Sequence, residues 1–189
     1  MTLRQPRKPE ETPMKSGLDQ LSRYAEYHRD RRNIATHLVG VPMIVFAVIV
    51  LLSRPAFEIA GLALNPAWIV LAVAGLYYLL LDVGLGLTLT VIMAAMTWVA
   101  ARIGVMSTAA WLATGIGMFV VGWIIQFIGH YYEGRKPAFV DDLIGLLIGP
   151  LFVWAEVVFA LGIRQPLLKA IEARVGPTHI RDMTHKAVT

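Results

Sequence analysis

The stretch Ile34-Ala-Thr-His37-Leu-Val-Gly40-Val-Pro42-Met-Ile-Val-Phe-Ala-Val-Ile-Val-Leu-Leu52 runs for 19 residues without an Asp, Glu, Lys or Arg. A bilayer core needs about 20 apolar residues per helix, so this stretch reads as a membrane span. Three more follow the same pattern: Pro66 to Leu81, Gly84 to Ala101 and Ser107 to Ile128. Ser53-Arg54-Pro55, Asp82 and Arg102 break the apolar run between them. Asn33 reads as the cap of the first, Asn65-Pro66 as cap and first-turn signal of the second, and Ser107 with Thr108 as caps of the fourth. The composition agrees: 189 residues, 57% hydrophobic, 16% charged and a mean hydropathy of +0.61. A soluble domain carries about a quarter charged residues. Small residues on the spans (Gly75, Gly84, Gly86, Ala94, Ala95, Gly115, Gly117, Gly122) permit close helix contacts.

Outside the spans the chain is basic. Ser16 and Asp19 are spaced as a capping box and open an amphipathic helix that puts Leu21, Tyr24, Ala25 and His28 on one face. Arg23, Arg29, Arg31 and Arg32 are then placed to reach lipid phosphates. A fifth apolar stretch, Leu143 to Ile163, holds Gly149-Pro150 and Glu156. Proline lacks the N–H and disfavours helix in the residue before it, so a re-entrant or interfacial segment is expected there. Eight of 17 basic residues precede Asn33 and seven follow His130; only Arg54 and Arg102 lie between. Positive charge stays cytoplasmic, which favours four spans with both termini inside. The expected fold is all-α: four transmembrane helices, an N-terminal amphipathic helix and a C-terminal re-entrant or interfacial segment. The expected division is a flexible basic terminus over 1–15, one helical membrane domain over 16–163 and a polar tail over 164–189. With no cysteine, thiolate chemistry is excluded, and the polar first 33 residues do not read as a cleavable signal.

Topology singles out the histidines. With the amino end inside, the start of span one, the Asp82 turn and the end of span four share the cytoplasmic face. His28, His37, Asp82, His130 and Glu133 all fall there, with Arg54, Glu58 and Arg102 opposite. Ionisable groups at a membrane edge are costly, and imidazole is the commonest metal-binding side chain. His28 and His37 are nine residues apart, half a turn from alignment on one unbroken helix; a break near Asp30 to Asn33 would let both face one centre. Gln126, His130 and Glu133 would form a polar stripe on span four. Asp82 also reads as a simple helix cap, and Glu133 with Arg135, like Asp141 with Asp142, as solvated loop charge. Glu156, among Phe152, Trp154 and Phe159, needs a partner. His179 and His185 lie in the polar tail. Spacing alone leaves open an enzyme built on a metal site, a zinc-dependent membrane hydrolase, and a four-span scaffold or proton- or ion-conducting protein.

Two motifs narrow this. Tyr24-Ala-Glu-Tyr-His28, Asn33, His37 and Gly40-Val-Pro42, with Trp123-Ile-Ile-Gln-Phe-Ile-Gly-His130, Glu133, Arg135, Pro137-Ala138, Asp141 and Leu143, resemble one family. It is the "metabolism of phytosphingosine to odd-numbered fatty acids" family, and the likeness covers about Leu18 to Gly162. After His130 the spacing to the glutamate is one residue shorter than in the fungal pattern. The resemblance implies a non-haem Fe(II) dioxygenase of fatty acid alpha-oxidation, held by His28, His37 and His130. It further implies a long-chain 2-hydroxy fatty acid and O2 as partners, with membrane lipid around the site and no nucleic acid. The product would be the acid one carbon shorter. Glu133, Asp82 and Glu156 are then expected to orient the imidazoles, and the bacterial inner membrane is the expected location.

Overall fold

The computed structural model describes residues 16–59, 61–137 and 144–183. Residues 1–15, Ala138, Asp141, Asp142, Leu143 and His185, named above, lie outside the described residues. The chain begins with α1 (Gly17–Glu26), α2 (Arg31–Leu51) and a hairpin of β1 (Phe57–Ile59) and β2 (Leu62–Leu64). It continues through α3 (Pro66–Leu81), α4 (Val83–Gly104), α5 (Thr108–Glu133), α6 (Ile144–Ala160) and α7 (Gln165–Val175). The fold is therefore helical. Its two short antiparallel strands, paired Phe57 with Leu64, were not expected from the sequence.

Local capping follows side-chain chemistry. The Ser16–Asp19 box forms as expected, with the Ser16 hydroxyl accepting from the Asp19 N–H and the Asp19 carboxylate accepting from the Ser16 N–H. Ser107 caps α5. Asn33 does not cap α2; Asp30 does, three residues earlier, its carboxylate accepting the Arg32 N–H at 2.8 Å. Asp82 ends α3 and caps α4, accepting from the Leu85 N–H at 3.0 Å.

Helices α2, α4 and α5, of 21, 22 and 26 residues, are long and apolar enough to cross a bilayer. At 16 residues α3 spans about 24 Å, short of a core about 30 Å thick. Helices α6 and α7 form a pair bent by 118°. The chain is thus a membrane protein with three or four apolar helices of spanning length. The expected break at Gly149-Pro150 is absent, and α6 continues through Pro150. An apolar setting offers the main chain few alternative partners, so the helix persists, and the Leu147 carbonyl accepts from the Tyr78 hydroxyl at 2.9 Å. The sharp bend lies further on, at Gly162 and Arg164, both at positive φ. Of the residues expected as a polar tail, Gln165–Val175 form α7, which buries Ile171 in the main core with Leu21, Tyr78, Leu85 and Phe152.

Antiparallel pairing of α2 with α5 builds the floor of the site. Gly115, Gly122 and Gly129 recur every seven residues on α5, and each faces α2. A Cβ on Gly129 would meet Thr36 and Asn33, one on Gly122 would meet Ile44 and the Gly40 carbonyl, and one on Gly115 would meet Leu51. Small residues let the two backbones approach closely. His37 and His130 stand at the same end of that seam.

Candidate metal centre

His28 sits in the short connection between α1 and α2, where Tyr27 and His28 turn back on Tyr24 and Ala25. This break aims His28 toward α2. His28, His37 and His130 each offer a ring nitrogen, and these atoms lie within 4.8 Å of one another. All three residues are buried, at 0%, 2% and 7% exposure. Ring centroids are 4.4 Å apart for His28–His37, 5.2 Å for His28–His130 and 5.0 Å for His37–His130.

The main chain sets the tautomers. His28 Nδ1 lies 2.7 Å from the Tyr24 carbonyl, and His37 Nδ1 lies 2.9 Å from the Asn33 carbonyl. A carbonyl oxygen can only accept, so each Nδ1 carries the proton and each Nε2 keeps its lone pair. Those two Nε2 atoms face each other at 3.0 Å. Two lone pairs at that distance repel unless a cation lies between them. Burial pushes His28 well below the ordinary imidazole range, and the His37 ring acts in the same direction, so a shared proton is disfavoured. A metal ion bound at about 2.0–2.1 Å from imidazole nitrogens separates neighbouring ligands by about 3.0–3.4 Å. The observed gap fits. His130 Nδ1, buried and without a hydrogen-bond partner among the described residues, adds a third nitrogen whose needs the protein leaves unmet.

The carboxylates expected to orient the imidazoles are arranged otherwise. Glu133 accepts from the main-chain N–H of Arg29 at 3.0 Å and of Asp30 at 2.9 Å, and from Asn33 Nδ2 at 2.9 Å. It anchors the turn that carries His28 and does not bond a ring. Asp82 pairs with Arg164 at the α3–α4 turn. Glu156 lies in the field of Arg29 and Glu172. The ring N–H groups of His28 and His37 are held by the Tyr24 and Asn33 carbonyls instead.

A second support was not legible in the sequence. Residues 176–181 lie along the His28 turn: the His179 N–H donates to the Arg29 carbonyl and the Arg31 N–H donates to the His179 carbonyl, both at 2.9 Å. The Arg181 N–H donates to Asp30 at 2.7 Å, and Arg29 donates to the Gly176 carbonyl at 2.9 Å. Arg29 is therefore buried and structural; it does not reach for lipid. Burial lowers its guanidinium from the ordinary range, with Glu156, Glu133 and Glu172 opposing that shift. Burial alone would raise the Asp30 carboxyl, but Arg32 and the N–H groups of Arg181 and Arg32 outweigh it and hold the pKa at about 2. The Tyr24 ring stacks on His28 at 4.2 Å between centroids and 6° between planes.

A small cavity opens beside His37 and His130, lined also by Val41, Ile44, Trp123 and Gln126. Through Ile44, Val45, Trp123 and Pro150 it adjoins an apolar cavity of about 280 Å³ that follows α2 down to Leu52. The site thus has a polar head against the imidazoles and a greasy continuation.

Residues 14–161 match the family model described as Mpo1-like, 2-hydroxy-palmitic acid dioxygenase Mpo1-like. The chain is 33% identical over 153 residues to the Saccharomyces cerevisiae protein 2-hydroxy-palmitic acid dioxygenase MPO1, covering 80% of this chain and 84% of that one. No solved structure matches. The matched residues take in all three histidines and both helices of the glycine seam, and the chain belongs to the Mpo1-like family.

Proposed function

We propose that this protein is a non-haem Fe(II) dioxygenase that converts a long-chain 2-hydroxy fatty acid to the acid one carbon shorter, with His28, His37 and His130 as the metal ligands. The observation that carries this reading is the pair of Nε2 lone pairs facing at 3.0 Å beside a third buried imidazole. Membership of a family whose yeast relative is a 2-hydroxy-palmitic acid dioxygenase supports iron over zinc. Nitrogen donors with positions left open suit that metal. Bound there, iron(II) would supply redox electrons and a Lewis-acidic seat for the carboxylate and hydroxyl of the substrate. The overall reaction needs no outside reductant. A 2-hydroxy acid and one O2 balance to the shortened acid, CO2 and water, the acid losing four electrons and O2 gaining them.

The protein's own residues do the positioning. The Tyr24 and Asn33 carbonyls hold the Nδ1 protons, which keeps both Nε2 atoms free to bind. Glu133 holds the His28 turn against α5. The adjoining apolar cavity would take the acyl chain, whose binding energy helps fix the head at the site. Four spans, α2 to α5, with the 16-residue α3 matched by local thinning of the bilayer and both termini cytoplasmic in a bacterial inner membrane, would set the imidazoles at the inner membrane edge. The same membrane would then deliver the substrate.

Metal analysis of protein purified without metal resin, then anaerobic iron loading and an oxygen electrode, tests the reading. One iron per chain and O2 uptake dependent on a 2-hydroxy acid are expected. Stoichiometric metal in the triple-alanine variant of His28, His37 and His130, or no O2 uptake with any 2-hydroxy acid, would sink it.

A further inference from the structure

Gln126 is 4% exposed, and neither its amide nitrogen nor its amide oxygen has a hydrogen-bond partner among the described residues. An amide buried with both ends unpaired is expensive unless something else pairs it. Gln126 stands one helical turn before His130 on the same face of α5 and lines the same cavity as His37 and His130. Across from it α2 presents Gly40, where a Cβ would lie 2.9 Å from Gln126 Nε2. The bare backbone makes room for the amide and leaves it unbonded. Around it the cavity wall is mostly apolar, with Val41, Ile44 and Trp123 leading away toward the larger cavity.

The amide needs one group that donates to its oxygen and one that accepts from its nitrogen, and a single group that does both pairs it fully. A carboxylate could take the amide N–H but would leave the amide oxygen unpaired. A hydroxyl satisfies both ends, because it carries one donor and two lone pairs. We infer that the Gln126 amide reads the 2-hydroxyl of the substrate and sets the preference for a 2-hydroxy fatty acid over the unsubstituted acid. The inference rests on the functional reading above. It assigns the head group to the His130 end of the cavity and the acyl chain to the apolar continuation along α2. A site built to pair a hydroxyl rejects the analogue that lacks it, since the site's own polar atoms are then left buried and unpaired.

The test compares a 16-carbon 2-hydroxy acid with the unsubstituted 16-carbon acid on iron-loaded full-length protein in lipid nanodiscs. Affinity is measured anaerobically by displacement of radiolabelled 2-hydroxy acid, and kcat/KM for the two acids is then compared in air. In Gln126→Met, which keeps side-chain length, the ratio of affinities should fall by about 10- to 100-fold. The loss should fall on the hydroxy acid, with iron content and thermal midpoint unchanged. If that variant loses iron or fails to fold, Gln126→Asn, which withdraws the amide by one methylene, is put through the same ratio measurement. A wild-type preference that survives in the folded variant overturns the assignment to Gln126 and leaves the dioxygenase reading standing. No preference in the wild type overturns both.

Discussion

A neutral imidazole has one proton and one lone pair, and in this protein the main chain decides which nitrogen of His28 and His37 has which. The Tyr24 and Asn33 carbonyls are each four residues back from the ring they hold, so the tautomers are set by local helix geometry. The lone pairs are then free to converge. Single alanine changes at His28, His37 or His130 should each abolish iron retention and product, read by metal analysis and mass spectrometry. His179→Ala should do neither, because His179 contributes through its main-chain N–H and carbonyl. Glu133 is the sensitive carboxylate. It gathers two main-chain N–H groups and the Asn33 amide, and hydrogen bonds to a charged group are each worth roughly 1.5–3 kcal/mol. Glu133→Gln should lower stability by about 2 kcal/mol and iron affinity by about 10–100-fold, measured by thermal unfolding and chelator competition. Asp82→Ala removes a helix cap and the Arg164 pair; it should lower stability by about 1 kcal/mol and leave iron affinity as it was.

At the scale of elements, two features hold the centre. The heptad glycines of α5 bring α2 close, and Gly129 lies against Asn33, one turn before His37, and Thr36, the residue just before it. Gly129→Leu would wedge the helices apart at the site. Overpacking of this kind costs about 1–3 kcal/mol, and because it separates His37 from His130 the variant should lose iron out of proportion to its stability. The second feature is the strand-like segment after α7. Ending the chain at Val175 removes the main-chain bonds from His179 and Arg181 to Arg29, Arg31 and Asp30. Of the supports on the Arg29 and Asp30 main-chain N–H groups, Glu133 would then remain. Hydrogen exchange at Arg29 to Arg31 should quicken, and iron affinity should fall while α2 and α5 stay protected. Unchanged exchange there would show that Glu133 suffices.

The whole molecule brings its two described ends together. Residues 176–181 lie on the turn before α2, so the start of the first apolar helix and the segment after α7 share one end of the bundle. Arg54 lies at the other end, donating to the carbonyls of Gly104, the last residue of α4, and Met106 in the turn that follows. If the basic end is cytoplasmic, cysteines placed at positions 12 and 185 should resist an impermeant reagent in intact cells, while one at Glu58 should label. Because residues 176–181 are bonded to Arg29, Asp30 and Arg31, labelling at 185 would mean that this whole end of the bundle faces outward.

The helical membrane class and three of the four expected spans were legible because they depend on composition and on helical period, which neighbouring residues carry. Topology also put His28, His37 and His130 at one end, where the structure gathers them. Ser16, Asp19 and Ser107 acted as their positions predict, since a cap bonds within its own first turn. Asn33 and the Gly149-Pro150 step did not. Asp30 had already started α2, and α6 ran through its proline in surroundings that offer the main chain no better partner. Glu133 looked like loop charge because its partners are about 100 residues away in the chain. The tail over Arg29 to Arg31 and the isolation of the Gln126 amide have the same origin. The turn at His28 leaves main-chain donors that no helix satisfies, and only packing between distant segments decides which acceptor meets them.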